Sequence, residues 1–580
     1  MKWNPDQQRA IDAAGNVIVS AAAGAGKTSV LTERVYRLVQ NGCPIDRMLI
    51  LTFTRAAAGE MKTRIAARLE TAAAEATDAQ AKNYLRDQSQ RVASANISTM
   101  HAFCSKVVFR HFFRVGLSPA AKMLDETESA VLRCEVRERV LSDLAAEQPE
   151  TYRTLIGGFN GENALISTLD QIDRFLSADP DPDAWLHKTE STLTDRAAFD
   201  ALLADELASD KNELTLSLAE LNDARDLLPP AFDKALQKLD DLLTHARGAL
   251  LQTDRAAYGQ SLAAIPTKWN LPPLKGLSPE EADAVKDAKS ATVKLIKAQI
   301  ERYETDAEAL FQTQRAGAAL IVPLFALVRT FRASFAEEKR QRAALDFDDL
   351  EHMTIAILQD DRIAAEYRSR FQYVIVDEYQ DSNRVQEAIL SRIARADNEF
   401  FVGDVKQSIY RFRKAEPKLF LEKCRTFTGE AGTRIDLKQN FRSGGAVIDA
   451  VNRVFETIMR EPIAGIEYDA AARLYRGSSE TGGAVECHVL EKKTDADEES
   501  TSDAEGEARL IAGAIAERMN RPLFDSKTGE TRAPRYGDFA ILLRGKSMRR
   551  CLPKRSPTRA FPPTRSWRAG TSRPSRYSLC

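Results

Sequence analysis

The residues with the clearest chemical capacity lie in a turn of small residues near the amino terminus. Gly26, Lys27 and Thr28 follow the apolar run Val17–Val19 and open a helical pattern. Backbone N–H groups can surround a polyphosphate only where side chains are small, Lys27 supplies a mobile positive charge, and the Thr28 hydroxyl suits Mg²⁺. We therefore interpret 21–28 as a phosphate-binding loop. Its predicted nucleotide contacts are Ala23, Gly24, Ala25, Gly26, Lys27, Thr28 and Ser29.

One position of this loop departs from the usual pattern Gly-x4-Gly-Lys-[Ser/Thr]. Its first residue is Ala21, and alanine adopts fewer turn conformations than glycine. The alternative interpretation is an Ala/Gly-rich turn between a strand and a helix that contains Lys-Thr by chance.

A pair of carboxylates supplies a second candidate group. The apolar stretch that begins at Phe371 ends in Asp377 and Glu378. A carboxylate at the end of a buried strand is costly unless it meets a cation. We therefore predict Mg²⁺ at Asp377 and a water-orienting base at Glu378, with an acidic turn after a strand as the alternative.

Two further segments suit a phosphate sensor and a nucleic acid. After the predicted strand 399–404, Gln407 could contact a terminal phosphate, and Tyr410 and Phe412 alternate with arginines as single-stranded bases and their backbone require. Thr52 and Arg55 follow another apolar strand and could hold a phosphodiester backbone. An ordinary solvated helix is the alternative for 55–65.

The elements that must position these residues form an α/β pattern. Val17–Val19, Met48–Phe53 and the run from Ile97 predict short buried strands, with helices at Ser29–Val39 and Ala56–Glu70 between them. This alternation is typical of βαβ units with a parallel sheet. From about 111 to 345, long Leu/Ala/Glu/Lys/Arg stretches predict a helical insertion in which Trp185, Trp269 and 109–113 pack internally.

Composition sets wider limits. A chain of 580 residues should hold about three or four domains. No stretch approaches the ~20 apolar residues of a membrane helix, and the seven cysteines include no Cys-x-x-Cys, so we expect neither a zinc site nor a disulfide framework and predict a cytoplasmic location. Residues 549–580 carry nine Lys/Arg and no acid, so the overall charge of −2 leaves −11 on the first 548. An acidic body does not exclude nucleic acid, which binds a local basic groove.

Eight motifs then occur in an order that resembles the superfamily-one DNA helicases of the UvrD/Rep/RecB type, and most closely those of the AddA type. The resemblance covers roughly 1–545. The motifs are Asn4-Pro-Asp-Gln7, the loop 21–28, Thr52-Phe-Thr-Arg55, Ser98-Thr-Met-His-Ala-Phe-Cys104, Asp346-Phe-Asp-Asp-Leu350, Val376-Asp-Glu-Tyr-Gln-Asp381, Val402-Gly-Asp-Val-Lys-Gln-Ser-Ile-Tyr410 and Gln439-Asn-Phe-Arg-Ser443.

The resemblance implies a role for each matching residue, with ATP and Mg²⁺ as cofactors. Lys27 and Thr28 would hold the β/γ-phosphates and Mg²⁺, with Asp377 as the second metal ligand, Glu378 positioning water and Gln407 sensing the γ-phosphate. Gln7 and Phe441 would contact adenine, and Arg442 would neutralise the γ-phosphate. The implied single-strand track consists of Thr52, Arg55, His101, Tyr410, Phe412 and Arg413.

The resemblance also implies an architecture and a function. A P-loop NTPase with RecA-like lobes would have its first lobe in 1–110 plus 346–430, the helical insertion in 111–345 and a partial second lobe in 431–548. The implied activity is ATP-dependent 3′ to 5′ translocation on DNA in bacterial double-strand-break repair, together with an AddB-like protein in a heterodimer.

The pattern stops after the predicted second-lobe elements, a strand at Ala484–Leu490, a helix near Ala508–Met519 and a strand at 538–544. Residues 549–580 contain five prolines and no periodicity, and the remaining helicase motifs and the nuclease centre do not follow. We interpret this as a reading frame broken near 545–550, with a natural basic tail as the alternative. We expect the chain to bind nucleotide and to be a candidate for single-strand binding, but to hydrolyse ATP poorly and neither to unwind nor to cut DNA.

Two other classes stay open at this point. One is a DNA-binding or scaffold protein that binds ATP without acting as a motor. The other is a P-loop kinase or transferase for small molecules, in which the clusters 410–413 and 440–443 would have no obvious use.

Overall fold

The computed structural model describes residues 3–266, 268–460, 465–477, 484–490, 503–525 and 528–543. The chain divides into two compact units, Met1–Gly483 and Ala484–Cys580. The predicted tail at 549–580 lies outside the described residues.

The first unit is built on a parallel sheet. Its strands are β1 (Val17–Ala21), β2 (Met48–Thr52), β3 (Asn96–Thr99), β4 (Lys122–Met123), β5 (Ala344–Leu345), β6 (Tyr373–Asp377), β7 (Glu399–Gly403), β8 (Thr433–Leu437), β9 (Gln439–Asn440) and β10 (Tyr475–Arg476). Six of them form one sheet in the order β3-β2-β6-β7-β1-β8, and every pair is parallel. The predicted α/β class with a parallel sheet is confirmed.

Helices cover both faces of this sheet and form the insertion. They are α1 (Pro5–Asp12), α2 (Lys27–Gln40), α3 (Arg55–Glu75), α4 (Ala79–Arg91), α5 (Met100–Arg110), α6 (Glu126–Glu147), α7 (Pro149–Gly158), α8 (Glu162–Leu176), α9 (Pro182–Thr192), α10 (Arg196–Asp226), α11 (Asp233–Leu250), α12 (Arg255–Ala263), α13 (Pro279–Tyr303), α14 (Ala307–Gln341), α15 (Phe347–Leu358), α16 (Asp361–Arg370), α17 (Arg384–Ile393), α18 (Pro417–Thr426) and α19 (Gly445–Ile458).

Alternate residues of each strand fill two separate cores. Val17, Val19 and Ile50 face a core closed by α1–α4, whereas Ile18 and Leu51 face a core closed by α5 and α15–α18. Both faces are therefore buried, as parallel sheets require, which explains why the strands appear in the sequence as continuous apolar runs.

Several motif residues begin the helices that surround the site. The side chains of Asn4, Thr54, Thr99 and Asp346 accept hydrogen bonds from backbone N–H groups in the first turns of α1, α3, α5 and α15. Asn4 and Asp346 also complete reciprocal capping boxes. Such caps satisfy N–H groups that have no partner inside the helix, so these positions fix where each helix starts.

The insertion consists of two helical clusters. Helices α6–α9 pack around the second half of α14, and α10–α13 form a separate core around Leu214, Leu242 and Tyr258. The chain enters and leaves the insertion through the parallel pair β4–β5. Helix α14 is long and apolar enough to span a membrane by length and composition, but Val328 and Phe331 are fully buried in the insertion core.

The second unit contains α20 (Asp503–Arg518) and the antiparallel pair β11 (Leu523–Asp525) and β12 (Glu530–Arg532). The predicted helix near 508–519 is confirmed. The strand predicted at 484–490 is wrong, because these residues form no strand. The strand predicted at 538–544 is also wrong over its described part, where Asp538 ends a 3₁₀ turn and 539–543 are irregular.

Strand β8 bears on the predicted boundary between the lobes. The sequence suggested that the first lobe ends at residue 430, yet Thr433–Leu437 pairs with β1 along its whole length. The first sheet therefore extends beyond that boundary, because β8 adds its hydrogen bonds to the central strand of the phosphate loop.

Candidate nucleotide and nucleic-acid site

The phosphate loop connects β1 to α2 at the carboxyl edge of the sheet. Ala21 is the last residue of β1 and pairs with Leu437, so regular strand backbone suffices where the usual pattern has glycine. Gly24 and Gly26 have φ values of 70° and 82°, a conformation that favours glycine. The glycines of the motif therefore stand where the turn needs them, and the first residues of α2 present N–H groups to the same edge.

The acidic pair after β6 reaches this loop. Lys27 Nζ lies 2.8 Å from Glu378 Oε2, although the two residues are 351 positions apart. Strand β7 separates β1 from β6 in the sheet, and loops at the carboxyl ends of such strands converge on one edge. The structure thus brings together the two groups that the sequence predicted for phosphate binding and for water activation.

Asp377 is the more buried carboxylate of the pair. Burial raises its pKa to about 6, the negative charge of Glu378 adds to the shift, and Lys27 opposes it. A buried carboxylate with this pKa favours a bound proton or a cation. The described residues contain no cluster of three or more His, Cys, Asp or Glu side chains that could hold a metal. The predicted pair of Thr28 and Asp377 supplies hard oxygen donors, which suit a Mg²⁺ ion that keeps waters and phosphate oxygens as its other ligands.

Gln7 packs directly on the phosphate loop. Its Nε2 donates to the Ala25 carbonyl over 3.1 Å, and its Oε1 accepts from the Asn4 backbone. The side chain is almost fully buried. The structure places Gln7 beside the loop, and its predicted contact with adenine stays a prediction.

The segment 440–443 contacts the other side of the loop. The Phe441 N–H donates to the Gly24 carbonyl over 3.0 Å, and a Cβ at Gly24 would lie 2.8 Å from the Cβ of Arg442. Asn440 Oδ1 holds the turn by accepting from the N–H groups of Arg442 and Ser443. Arg442 is exposed and has no ion pair with any residue that the structure describes, so its charge is available to an anion.

The predicted phosphate sensor follows β7. Gln407 lies in a 3₁₀ turn after Asp404, and its Nε2 donates to Asp404 Oδ2 over 2.7 Å. Asp404 is buried and also pairs with Lys406 at 2.8 Å. The carboxylate therefore fixes the turn that carries Gln407.

An aromatic cluster lies just beyond this turn. The rings of Tyr410 and Phe412 are 5.8 Å apart, and the Arg413 guanidinium lies 5.6 and 5.8 Å from their centroids. Phe53, from the loop after β2, stacks obliquely on Tyr410 at 4.6 Å. Phe412 is 75% exposed. Sequence reasoning missed Phe53, although it lies between the predicted contacts Thr52 and Arg55 and is the large aromatic of that motif.

The remaining predicted strand contacts divide into two kinds. Arg55 is exposed at the first position of α3, whereas Thr52 is buried and donates its hydroxyl to the Thr54 carbonyl. His101 approaches Glu351 at 3.4 Å and meets the edge of Phe347 at 5.1 Å. Phe347, 41% exposed, is a second aromatic that sequence reasoning missed. Its position at the start of α15, directly after a capping aspartate, was the signal that could have found it.

Comparison with known proteins agrees with this geometry. Residues 3–428 match the model of the UvrD/REP helicase N-terminal domain. The chain is 36% identical over 575 residues to the AddA subunit of the ATP-dependent helicase/nuclease from Alkaliphilus metalliredigens (strain QYMF), which covers 93% of this chain and 47% of that protein. The corresponding proteins from Listeria monocytogenes serotype 4b (strain F2365) and Geobacillus thermodenitrificans (strain NG80-2) are each 35% identical, over 93% and 94% of this chain and 47% of their own length.

The chain thus spans about half the length of the curated relatives it matches. The predicted resemblance to superfamily-one helicases of the AddA type is confirmed. The family match includes the strands and loops that place Lys27, Glu378 and Gln407 at one sheet edge. By sequence and by the fold that positions these groups, the chain belongs to the UvrD/REP helicase family.

Proposed function

We propose that this chain is the ATP-dependent motor part of a DNA helicase of the AddA type. One observation carries the proposal: Lys27 pairs with Glu378 at 2.8 Å on the sheet edge where the turn that holds Arg442 packs on Gly24. Phosphoryl transfer needs a lysine on the phosphates, a group that orients water and a cation for the developing charge. Three distant segments supply these groups to one place.

The ion pair suggests how the site responds to ATP. Without nucleotide, the Lys27 ammonium is held by Glu378. A triphosphate carries more negative charge than this carboxylate, so it draws Lys27 away and leaves Glu378 free to orient the attacking water. Gln407 and Arg442 then contact the γ-phosphate from the two loops that border the site.

Thr28 and Asp377 would hold Mg²⁺, which neutralises phosphate charge when it is bound with ATP. Two observations support these ligands. Thr28 is adjacent to Lys27 on α2, and Asp377 precedes the carboxylate that Lys27 contacts. Gln7 and Phe441 would hold the base, since both lie against the phosphate loop and Phe441 is partly exposed for stacking.

The aromatic cluster of Phe53, Tyr410, Phe412 and Arg413 would bind single-stranded DNA. Exposed rings stack on bases of any sequence, and arginine adds contacts to the backbone. Arg55 and His101 would extend this track, with Thr52 shaping the turn beside it. Movement in the 3′ to 5′ direction follows from the family resemblance.

The function of the whole protein rests on the relatives. Their name describes one component of an ATP-dependent helicase/nuclease, which supports a role in DNA-end processing during bacterial recombination and repair. The same name supports an AddB-like protein as the second component, and the location would be cytoplasmic and nucleoid-associated. The nuclease activity would belong to a part of those relatives that this chain does not span.

Equilibrium binding tests the proposal. We expect the chain to bind a fluorescent ATP analogue in a Mg²⁺-dependent manner, to bind a labelled oligo(dT), and to show ATP hydrolysis that is weak but increased by oligo(dT). A small-molecule kinase or transferase would bind the nucleotide and have no affinity for oligo(dT). A non-motor DNA-binding protein would bind oligo(dT) with the same affinity whether or not nucleotide is present.

A further inference from the structure

One buried amide joins the two loops that carry the candidate catalytic groups. Gln380 is 1% exposed, in the 3₁₀ turn after Glu378. Its Nε2 donates to Glu378 Oε2 over 2.9 Å, and its Oε1 accepts from the Asp404 N–H over 2.9 Å. A single side chain therefore connects the loop after β6 to the loop after β7.

The hydrogen bonds continue on both sides of this amide. Glu378 Oε2 also accepts from Lys27 Nζ at 2.8 Å, and Asp404 Oδ2 accepts from Gln407 Nε2 at 2.7 Å. The result is an unbroken path from the phosphate loop through Gln380 to the turn that carries the phosphate sensor. Buried paths of this kind hold their members in one arrangement, because each unpaired polar group would be costly.

The far end of the path leads to the aromatic cluster. The Ser408 hydroxyl donates to the Gln380 carbonyl over 3.4 Å, and only one residue separates Ser408 from Tyr410. Lys414, directly after this segment, has a φ of 69°, an uncommon conformation for a side-chain-bearing residue. The segment 404–414 is therefore a set of short turns fixed at its start by Gln380.

Packing leaves this amide no room to reorient. A Cβ at Gly403 would overlap Gln380 Oε1 and would lie 2.9 Å from the Phe420 ring. Glycine at 403 thus makes space for the amide. When Lys27 moves to a triphosphate, Gln380 is the remaining side chain among the described residues that donates to the Glu378 carboxylate.

We propose that Gln380 is a positioning residue that couples the nucleotide site to the single-strand contact segment 404–413. This inference rests on the proposed function. DNA on the aromatic cluster would fix the turn at Asp404 and, through Gln380, the orientation of Glu378. The same path would carry the effect of nucleotide back to DNA, because linkage between two binding sites is reciprocal.

The coupling is measured as the change in affinity for a fluorescein-labelled oligo(dT) of about 16 nucleotides when a non-hydrolysable ATP analogue with Mg²⁺ is added. For the wild-type chain we expect a change of about fivefold or more, within the usual range for coupled sites. In Gln380→Met, which keeps the size and removes both hydrogen bonds, the ratio should approach one. The affinities for oligo(dT) alone and for the analogue alone should stay within about threefold of the wild type.

Two further variants separate coupling from folding. Gln380→Glu keeps the acceptor for the Asp404 N–H and loses the donor to Glu378, so it should also lose the coupling. Gln299→Met is the matched control. Gln299 is also 1% exposed and makes two side-chain hydrogen bonds, to Tyr258 and the Asp210 carbonyl, within the helical insertion. We expect it to keep the wild-type ratio even if it lowers stability.

The outcomes are distinct. Wild-type coupling that persists in both Gln380 variants overturns the inference and leaves the proposed function standing. A wild-type chain that binds both ligands without mutual influence also overturns it. A wild-type chain that binds no nucleotide refutes the proposed function, and the inference with it.

Discussion

The edge of the parallel sheet and the core of the helical insertion treat buried charge in opposite ways. In the insertion, Asp173 pairs with both Arg133 and Arg332. Glu190 accepts two hydrogen bonds from Arg329, at 2.8 and 2.9 Å, and these bonds lower its pKa. Each of these carboxylates is matched by at least one arginine.

At the sheet edge, one lysine serves several carboxylates. Lys27 contacts Glu378 and also lies close enough to act on the pKa values of Asp377 and Asp381. Burial raises those pKa values to about 6 and about 7, and the charge of Glu378 adds to both shifts. Excess buried charge is costly in a region that serves stability alone. The difference indicates that ligands complete the sheet edge, whereas the insertion is complete in itself.

The largest expected effect breaks a matched charge in the insertion. Asp173→Ala leaves two arginines facing each other without their carboxylate, so the free energy of unfolding should fall by about 3 kcal/mol. Affinity for the ATP analogue should not change. Chemical denaturation and nucleotide titration measure the two quantities. Asp170→Ala removes a more exposed partner of Arg137 on the same helix and should cost about 1 kcal/mol or less.

The next effect has the reverse profile. Lys27→Ala removes the cation of the phosphate loop, so affinity for the ATP analogue should fall about a hundredfold with little loss of stability. Lys234→Ala, at an exposed lysine of α11, is the control and should bind the analogue as the wild type does. Equal affinities for the two variants would show that the sheet edge is not the nucleotide site.

A smaller effect compares two exposed aromatic residues. Phe412→Ala should weaken oligo(dT) binding about tenfold, the contribution of roughly one stacked base. Phe175→Ala, in the insertion, removes a ring that is 51% exposed and stacks on Trp185, and should leave oligo(dT) binding unchanged. Fluorescence anisotropy gives both affinities. Equal weakening by the two substitutions would extend the DNA track to the insertion.

The smallest effect is a pair of pH dependences of opposite sign. The pKa of Asp381 is raised from 3.8 to about 7. The wild type should therefore lose stability relative to Asp381→Asn as the pH rises through this interval. The pKa of Glu190 is lowered from 4.5, so the wild type should lose stability relative to Glu190→Gln as the pH falls below that value. Urea unfolding at several pH values measures both, and slopes of the same sign would contradict the comparison.

The sequence predicted the central strands well because both of their faces are buried. Residues such as Val17–Val19 and Val374–Val376 form continuous apolar runs that few other structures explain. The alternating pattern at 484–490 failed for a related reason. Alternation specifies which side chains share a face, but a strand also needs a neighbouring strand to take its hydrogen bonds, and alternation in one segment carries no information on that neighbour.

Site prediction met a similar limit. Asn4, Thr54, Thr99 and Asp346 lie in motifs that resemblance assigns to chemistry, and the structure shows that each begins a helix. The importance of Gln380 could not be predicted, although it stands in one of the eight motifs. One of its partners is a backbone N–H, which every residue but proline carries.

The sequence by itself determined the phosphate loop, the buried strands, the helix starts and the family, since these depend on local residue types and spacing. Only the tertiary structure decided that Lys27 meets Glu378, that Arg442 borders Gly24 and that Gln380 joins two loops. Those contacts depend on the order of strands in the sheet. That order is set by the packing of whole helices on both faces, which no single segment encodes.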